Sequence, residues 1–92
     1  VMGRMAEAEP HFEAVKENSP TAEACVDIGT IYAKAGRLDK ATEWYDRAIG
    51  IDPQNAAANY NMGRVLESQG QAERARAYLD AASKISPNLA TP

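Results

Sequence analysis

Cysteine, histidine, phenylalanine and tryptophan each occur once in the 92 residues. One cysteine excludes an internal disulfide framework, and one cysteine with one histidine leaves no ligand set for structural zinc. Positive charge is also short. The formal net charge is −3, without the basic stripe that marks a nucleic-acid binder. No run of about 18 apolar residues is present to cross a bilayer. Val1-Met2-Gly3-Arg4 does not begin a charged region followed by an apolar one, so this segment is expected to hold no secretory leader. The sequence names no compartment, the lack of a leader or a span in this segment favours the cytoplasm, and direct membrane insertion is not expected. The pattern G-x-G-x-x-G does not occur, which disfavours a nucleotide loop. β-branched residues are few, so extended strands have little material.

Alanine is what the chain has in quantity, 18 of 92 residues. Alanine is the best helix former and lets helices approach closely. Charged residues at 25% and hydrophobic residues at 45% match an ordinary globular balance rather than a disordered tail.

The sequence repeats itself. Gly3, Gly36 and Gly70 are each followed after 17 residues by a proline: Pro20, Pro53 and Pro87. Five residues after each glycine stands Ala8, Ala41 or Ala75, and nine after it Phe12, Tyr45 or Leu79. Gly29 and Gly63 precede Gly36 and Gly70 by seven residues. The chain therefore divides into a half unit at 3–21, two 34-residue units at 22–55 and 56–89, and a tail at 90–92.

Local signals split each unit into two helices. Thr21 and Asn55 are good N-caps for Ala22-Glu23-Ala24 and Ala56-Ala57-Ala58. Gly36 and Gly70 suit the left-handed residue that ends a helix. Asp39 and Glu73 are acids placed near the following helix N-termini. Those helices must stop before Pro53 and Pro87. The spacing predicts five helices, at about 6–18, 22–35, 38–51, 56–69 and 72–85, with Pro10 tolerated only if the first begins near Glu9. Cys25, Ile28 and Tyr32 share one helical face, as do Asn59, Met62 and Leu66. Gly29 and Gly63 fall on the packing face opposite Ala41 and Ala75, allowing close helix approach. Of the adjacent Trp44 and Tyr45, the period sends Tyr45 to the core and leaves Trp44 partly exposed on the outer side.

Cys25, Ile28-Gly29, Tyr32, Ala41, Tyr45, Ala48 and Pro53, with Asn59, Met62-Gly63, Leu66, Ala75, Leu79, Ala82 and Pro87, resemble the tetratricopeptide repeat family pattern. The half unit can be aligned only at Ala8, Phe12, Val15 and Pro20. Cys25 and Asn59 depart from the large residue usual at their place, and Val15 from the usual alanine, which loosens local packing. The resemblance implies an all-α, right-handed solenoid of about two and a half helix–turn–helix repeats. It implies a non-catalytic protein–protein interaction module, a scaffold or adaptor whose concave groove takes a peptide or helix. By the family's pattern the groove is lined by Glu23, Val26, Asp27, Thr30, Ala33 and Lys34, then Ala57, Tyr60, Asn61, Arg64, Glu67 and Ser68. Asn61 can exchange hydrogen bonds with a peptide backbone, Arg64 can fork onto a carboxylate, and Tyr60 offers a rigid apolar plate. Lys34 adds positive charge, while Asp27 and Glu67 partly neutralise the strip. The family subtype that clamps chaperone tails carries Lys and Asn at the fifth and ninth places of its first unit. Val26 and Thr30 stand there, and the clamp asparagine is matched only at Asn61, so that subtype is disfavoured.

His11 has no serine or cysteine spaced to suit nucleophilic chemistry, and is expected at a surface or helix end. Cys25 is expected to be a buried, inert thiol. The acid pairs Glu7/Glu9 and Glu13/Glu17 are expected on a solvated face. No enzyme activity, cofactor or metal is expected of this segment, and its partner is expected to be a protein or peptide. Two further readings stand beside this one: a regulatory or substrate-positioning region of a larger enzyme such as a glycosyltransferase or sulfotransferase, and a homo-oligomerisation module. About three repeats are normally needed for a continuous core, so the segment is expected to belong to a longer protein or to self-associate. Arg76 and Ser83 replace Thr42 and Ile49 of the preceding unit. The array is therefore expected to end soon after Pro87 and to continue upstream of Val1.

Overall fold

A computed structural model describes residues 21–87. Within them are four α-helices: α1, Ala22–Lys34; α2, Leu38–Ile51; α3, Ala56–Ser68; and α4, Ala72–Ile85. The helix expected at 6–18, the rest of the half unit, His11 and the 90–92 tail lie outside the described residues. The four described helices follow the expected bounds to within a residue. The protein is an all-α helical-repeat solenoid segment.

The helix ends follow from their capping residues. The Thr21 side chain accepts from the Ala24 backbone N–H at 3.1 Å. The Asn55 side chain accepts from Ala58 N–H at 2.8 Å. Each satisfies a first-turn donor that has no partner inside the helix. At the other end Gly36 and Gly70 take φ of +81° and +78°, a region that only glycine enters cheaply. Arg37 N–H then reaches back to Tyr32 O at 2.9 Å and Gly36 N–H to Ala33 O at 3.0 Å. Gln71 and Gly70 repeat this onto Leu66 and Glu67. These are paired Schellman motifs, and they turn each unit's second helix back along its first.

α1 packs on α2, α3 on α4, and α2 on α3, while α1 and α3 also touch. α2 is therefore covered on two sides. Cys25, Ile28, Tyr32, Ala41, Trp44, Tyr45, Ala48, Met62, Leu66 and Ala75 form one continuous buried cluster. Trp44 contradicts the sequence expectation. It is only 2% exposed, because α3 covers the side of α2 that Tyr45 and α1 leave open. In the same register on α4, Tyr78 is only half-buried, and among the described elements α4 packs on α3 alone.

The glycines on the packing face permit this approach, with a partner different in detail from the expected one. A Cβ on Gly29 would lie 2.7 Å from the Tyr45 ring, and one on Gly63 would lie 2.6 Å from Leu79. Ala41 and Ala75 contribute their carbonyl oxygens, each 3.2 Å away.

Asn59 also departs from the sequence expectation. It is buried, at 4% exposure, and does not simply loosen the core. Its Nδ2 donates to Pro53 O at 3.2 Å and to Asn55 O at 3.0 Å. The same loop is held by Gln54 N–H donating to Asp52 Oδ1 at 3.0 Å. Asn59 thus ties the connection between the two units to α3. Asn59→Ala is expected to lower stability by about 1–3 kcal/mol, because the Pro53 carbonyl loses its Nδ2 donor, while Asn55 O keeps only the backbone N–H of residue 59. Urea unfolding checks this. A midpoint equal to that of the parent chain would mean the loop holds without the asparagine.

Candidate functional site

The candidate strip lies on α1 and α3, the first helices of the two units. Residues three and four apart share a helix face, which brings Tyr60, Arg64 and Glu67 together on α3. The structure joins them directly. Arg64 Nη1 donates to the Tyr60 hydroxyl at 3.2 Å. The guanidinium carbon stands 5.9 Å from the Tyr60 ring centroid. Arg64 Nε is 3.3 Å from Glu67 Oε1, with Arg64 62% and Glu67 49% exposed. Ser68 Oγ donates to the Arg64 backbone oxygen at 3.2 Å. Tyr60 and Asn61 are half-buried.

The α1 half of the strip is different. Val26 is buried, so it supports the strip from beneath. Thr30 Oγ1 lies 3.0 Å from the Tyr45 hydroxyl, which ties Thr30 to the core of its own unit. Burial pushes the Tyr45 phenol above its ordinary range, and the Thr30 hydrogen bond opposes that shift. Asp27 and Lys34 are exposed, and neither is in an ion pair among the described residues. Ala33 and Ala57 pack against the core edge. The strip therefore offers Asp27 and Lys34 as free charges on α1, and on α3 an aromatic–guanidinium–carboxylate trio beside Asn61.

Elsewhere the structure positions side chains that the sequence did not single out. Arg47 stacks over Trp44, 4.9 Å from the ring centroid, and pairs with Glu43 Oε1 at 3.5 Å. Its Nη1 is buried without a hydrogen-bond partner. The i, i+3 spacing of Trp44 and Arg47 was the available signal. Gln69 Nε2 donates to Asp39 Oδ1 at 3.3 Å, a link between the two units. Cys25 is a free, fully buried thiol, as its place on the apolar face suggests. Burial pushes it up from the ordinary thiol range, with Arg47 opposing, so the reactive thiolate is disfavoured. Among the described residues no three His, Cys, Asp or Glu side chains gather as a metal site. No described helix is long and apolar enough to cross a membrane.

Two antiparallel-helix units stacked in register, with small residues at the crossings and a polar strip on their first helices, define a helical-repeat protein of the kind that binds other proteins. Family models described as TPR repeat and tetratricopeptide repeat match residues 29–70 and 56–89; the chain belongs to the tetratricopeptide repeat family. It is 45% identical over 51 residues to the protein O-mannosyl-transferase TMTC1 of Mus musculus, covering 55% of this chain and 5% of that protein. It is 29% identical over 89 residues to anaphase-promoting complex subunit 3 of Schizosaccharomyces pombe, 96% of this chain and 13% of that one. It is 32% identical over 76 residues to the photosystem I assembly protein Ycf3 of Rippkaea orientalis, 78% of this chain and 44% of that one. The chain thus spans less than half the length of each of these relatives. The repeat is itself a non-catalytic, protein-binding architecture.

Proposed function

We propose that the chain is a scaffold segment whose α1–α3 strip receives a peptide or helix from a partner protein. The observation that carries this reading is the trio of Tyr60, Arg64 and Glu67 beside Asn61. The first unit folds with Val26, Thr30 and Ala33 at the three corresponding places, so the repeat does not require the trio. An aromatic plate, a guanidinium and an amide on one exposed helix face are the groups that peptide recognition uses. With acidic and basic groups interspersed and a net charge of −3, long-range attraction for acidic ligands is absent. Binding is accordingly expected to be micromolar or poorer and sensitive to salt.

Calorimetry on a peptide recovered from an array screen tests the reading. Tyr60→Ala and Arg64→Ala are expected to weaken binding about 5- to 30-fold, the range of an interface anchor. Glu43→Gln, outside the strip, is expected to leave it unchanged. Both strip variants binding like the parent, while remaining folded, would remove the strip from the account.

A second reading has one observation behind it. The 45% identity to a stretch of an O-mannosyl-transferase supports a repeat region that positions a substrate for an enzyme whose chemistry lies elsewhere in a longer protein.

A further inference from the structure

We propose that Glu67 is a built-in competitor for the strip: its carboxylate occupies the Nε of Arg64 that an acidic group of a ligand would take. This inference rests on the α1–α3 strip being the binding surface.

A guanidinium offers five N–H donors in a fixed plane. Nε and the nearer Nη form the side edge on which a carboxylate can sit with two parallel bonds. In this structure Nε faces Glu67 Oε1 at 3.3 Å. Nη1 is spent on the Tyr60 hydroxyl at 3.2 Å. The two contacts hold the guanidinium beside the Tyr60 ring with the Nε of its side edge facing the chain's own acid. An incoming Asp, Glu or C-terminal carboxylate that seats on this edge with two parallel bonds therefore exchanges with Glu67 at Nε. Displacement leaves the Tyr60 contact in place, so the arginine stays positioned for the ligand after its acid has left. Lys34, exposed and without an ion pair among the described residues, carries no such competitor. The first unit has Thr30 in the place of Arg64 and Ala33 in the place of Glu67, so neither the arginine nor its acid is a requirement of the fold.

Both groups of the pair are about half or more exposed, so the competition is light. Removing it is expected to strengthen acidic-ligand binding about two- to fivefold, the worth of an exposed ion pair. The probe is a fluorescein-labelled hexaglutamate peptide, followed by fluorescence anisotropy at low salt on the full 92-residue chain. Glu67→Gln is expected to tighten its binding. Asp27→Asn removes the same charge from the strip without touching Arg64, and is expected to give a smaller gain. In the Arg64→Gln background the gain from Glu67→Gln is expected to disappear beyond the Asp27→Asn level, a coupling that a double-mutant cycle isolates. Equal gains from Glu67→Gln and Asp27→Asn, or a gain that persists without Arg64, would overturn the competitor. If Arg64→Gln and Tyr60→Ala weaken binding at the same time, the strip itself still stands. If neither the parent chain nor Glu67→Gln saturates with the probe, the competitor is overturned while the strip rests on the array peptide; if the probe binds with an affinity that none of these substitutions changes, both fail.

Discussion

Trp44→Ala is expected to lower the stability of the chain by about 3–5 kcal/mol, the cost of emptying a buried indole site. That is a large share of the total for a small domain. Trp44 is 2% exposed, set in α2 between α1 and α3, and its ring is the platform for Arg47. Truncation leaves the Arg47 guanidinium without that ring, while its Nη1 already lacks a hydrogen-bond partner. Trp44→Phe is expected to cost less, since it keeps an aromatic face and most of the volume. The chain carries a single tryptophan, so its own emission reports the site: blue-shifted when folded and moving to the red on urea unfolding. An outward-facing Trp44 would give a red emission in the folded chain, and truncation would change stability by no more than about 0.5 kcal/mol.

Gly63→Leu is expected to cost about 3 kcal/mol, at the upper end of overpacking. Its Cβ alone would stand 2.6 Å from Leu79 Cγ and Cδ2. Leu79 cannot clear that space by turning its tip, because Cγ is its branch point. The Ala75 carbonyl at 3.2 Å is backbone and moves only with α4. The two helices must therefore separate, and the added methyls widen the gap further. Gly63→Ala is expected to cost less, and Leu79→Ala in the same chain to relieve part of the remainder. Asp46→Asn, on an exposed position of α2, is the silent comparison. A Gly63→Leu chain with the parent's urea midpoint would mean that α3 and α4 do not cross at this glycine.

The helix boundaries were legible in the sequence because their causes are local. A capping side chain three residues from the N–H it accepts, or a glycine at positive φ, acts within one turn and leaves a residue-type signature. The crossings were legible one step less sharply. Gly29 and Gly63 signalled close approach, but which atoms fill the space, Tyr45 and Leu79 rather than the Ala41 and Ala75 methyls, depends on rotamers. Trp44 escapes the sequence pattern because helical period sorts two adjacent residues to different faces and assigns one of them to solvent. That inference holds for a helix with one buried side, whereas α2 has two. Asn59 escapes it for a related reason. A polar residue on an apolar stripe reads as a defect until the carbonyls of Pro53 and Asn55 are seen to converge on it. At the candidate strip, Tyr60, Asn61, Arg64 and Glu67 came from the family's pattern, and helical register accounts for Tyr60, Arg64 and Glu67 meeting on one face of α3. The engagement of Thr30 with Tyr45 and the burial of Val26 were not, since both depend on contacts with the core rather than on position along α1.

The α1–α3 strip as a binding surface is tested most directly by amide NMR of the uniformly 15N-labelled chain during titration with a bound peptide. The account predicts that the shifting amides concentrate on the exposed face of α1 and α3, around Asp27, Thr30, Lys34, Asn61, Arg64 and Glu67. Those on the outer sides of α2 and α4, such as Asp46 and Asp80, are predicted to stay still. Shifts concentrated on α2 and α4, with the α1 and α3 amides unmoved at saturation, would contradict it.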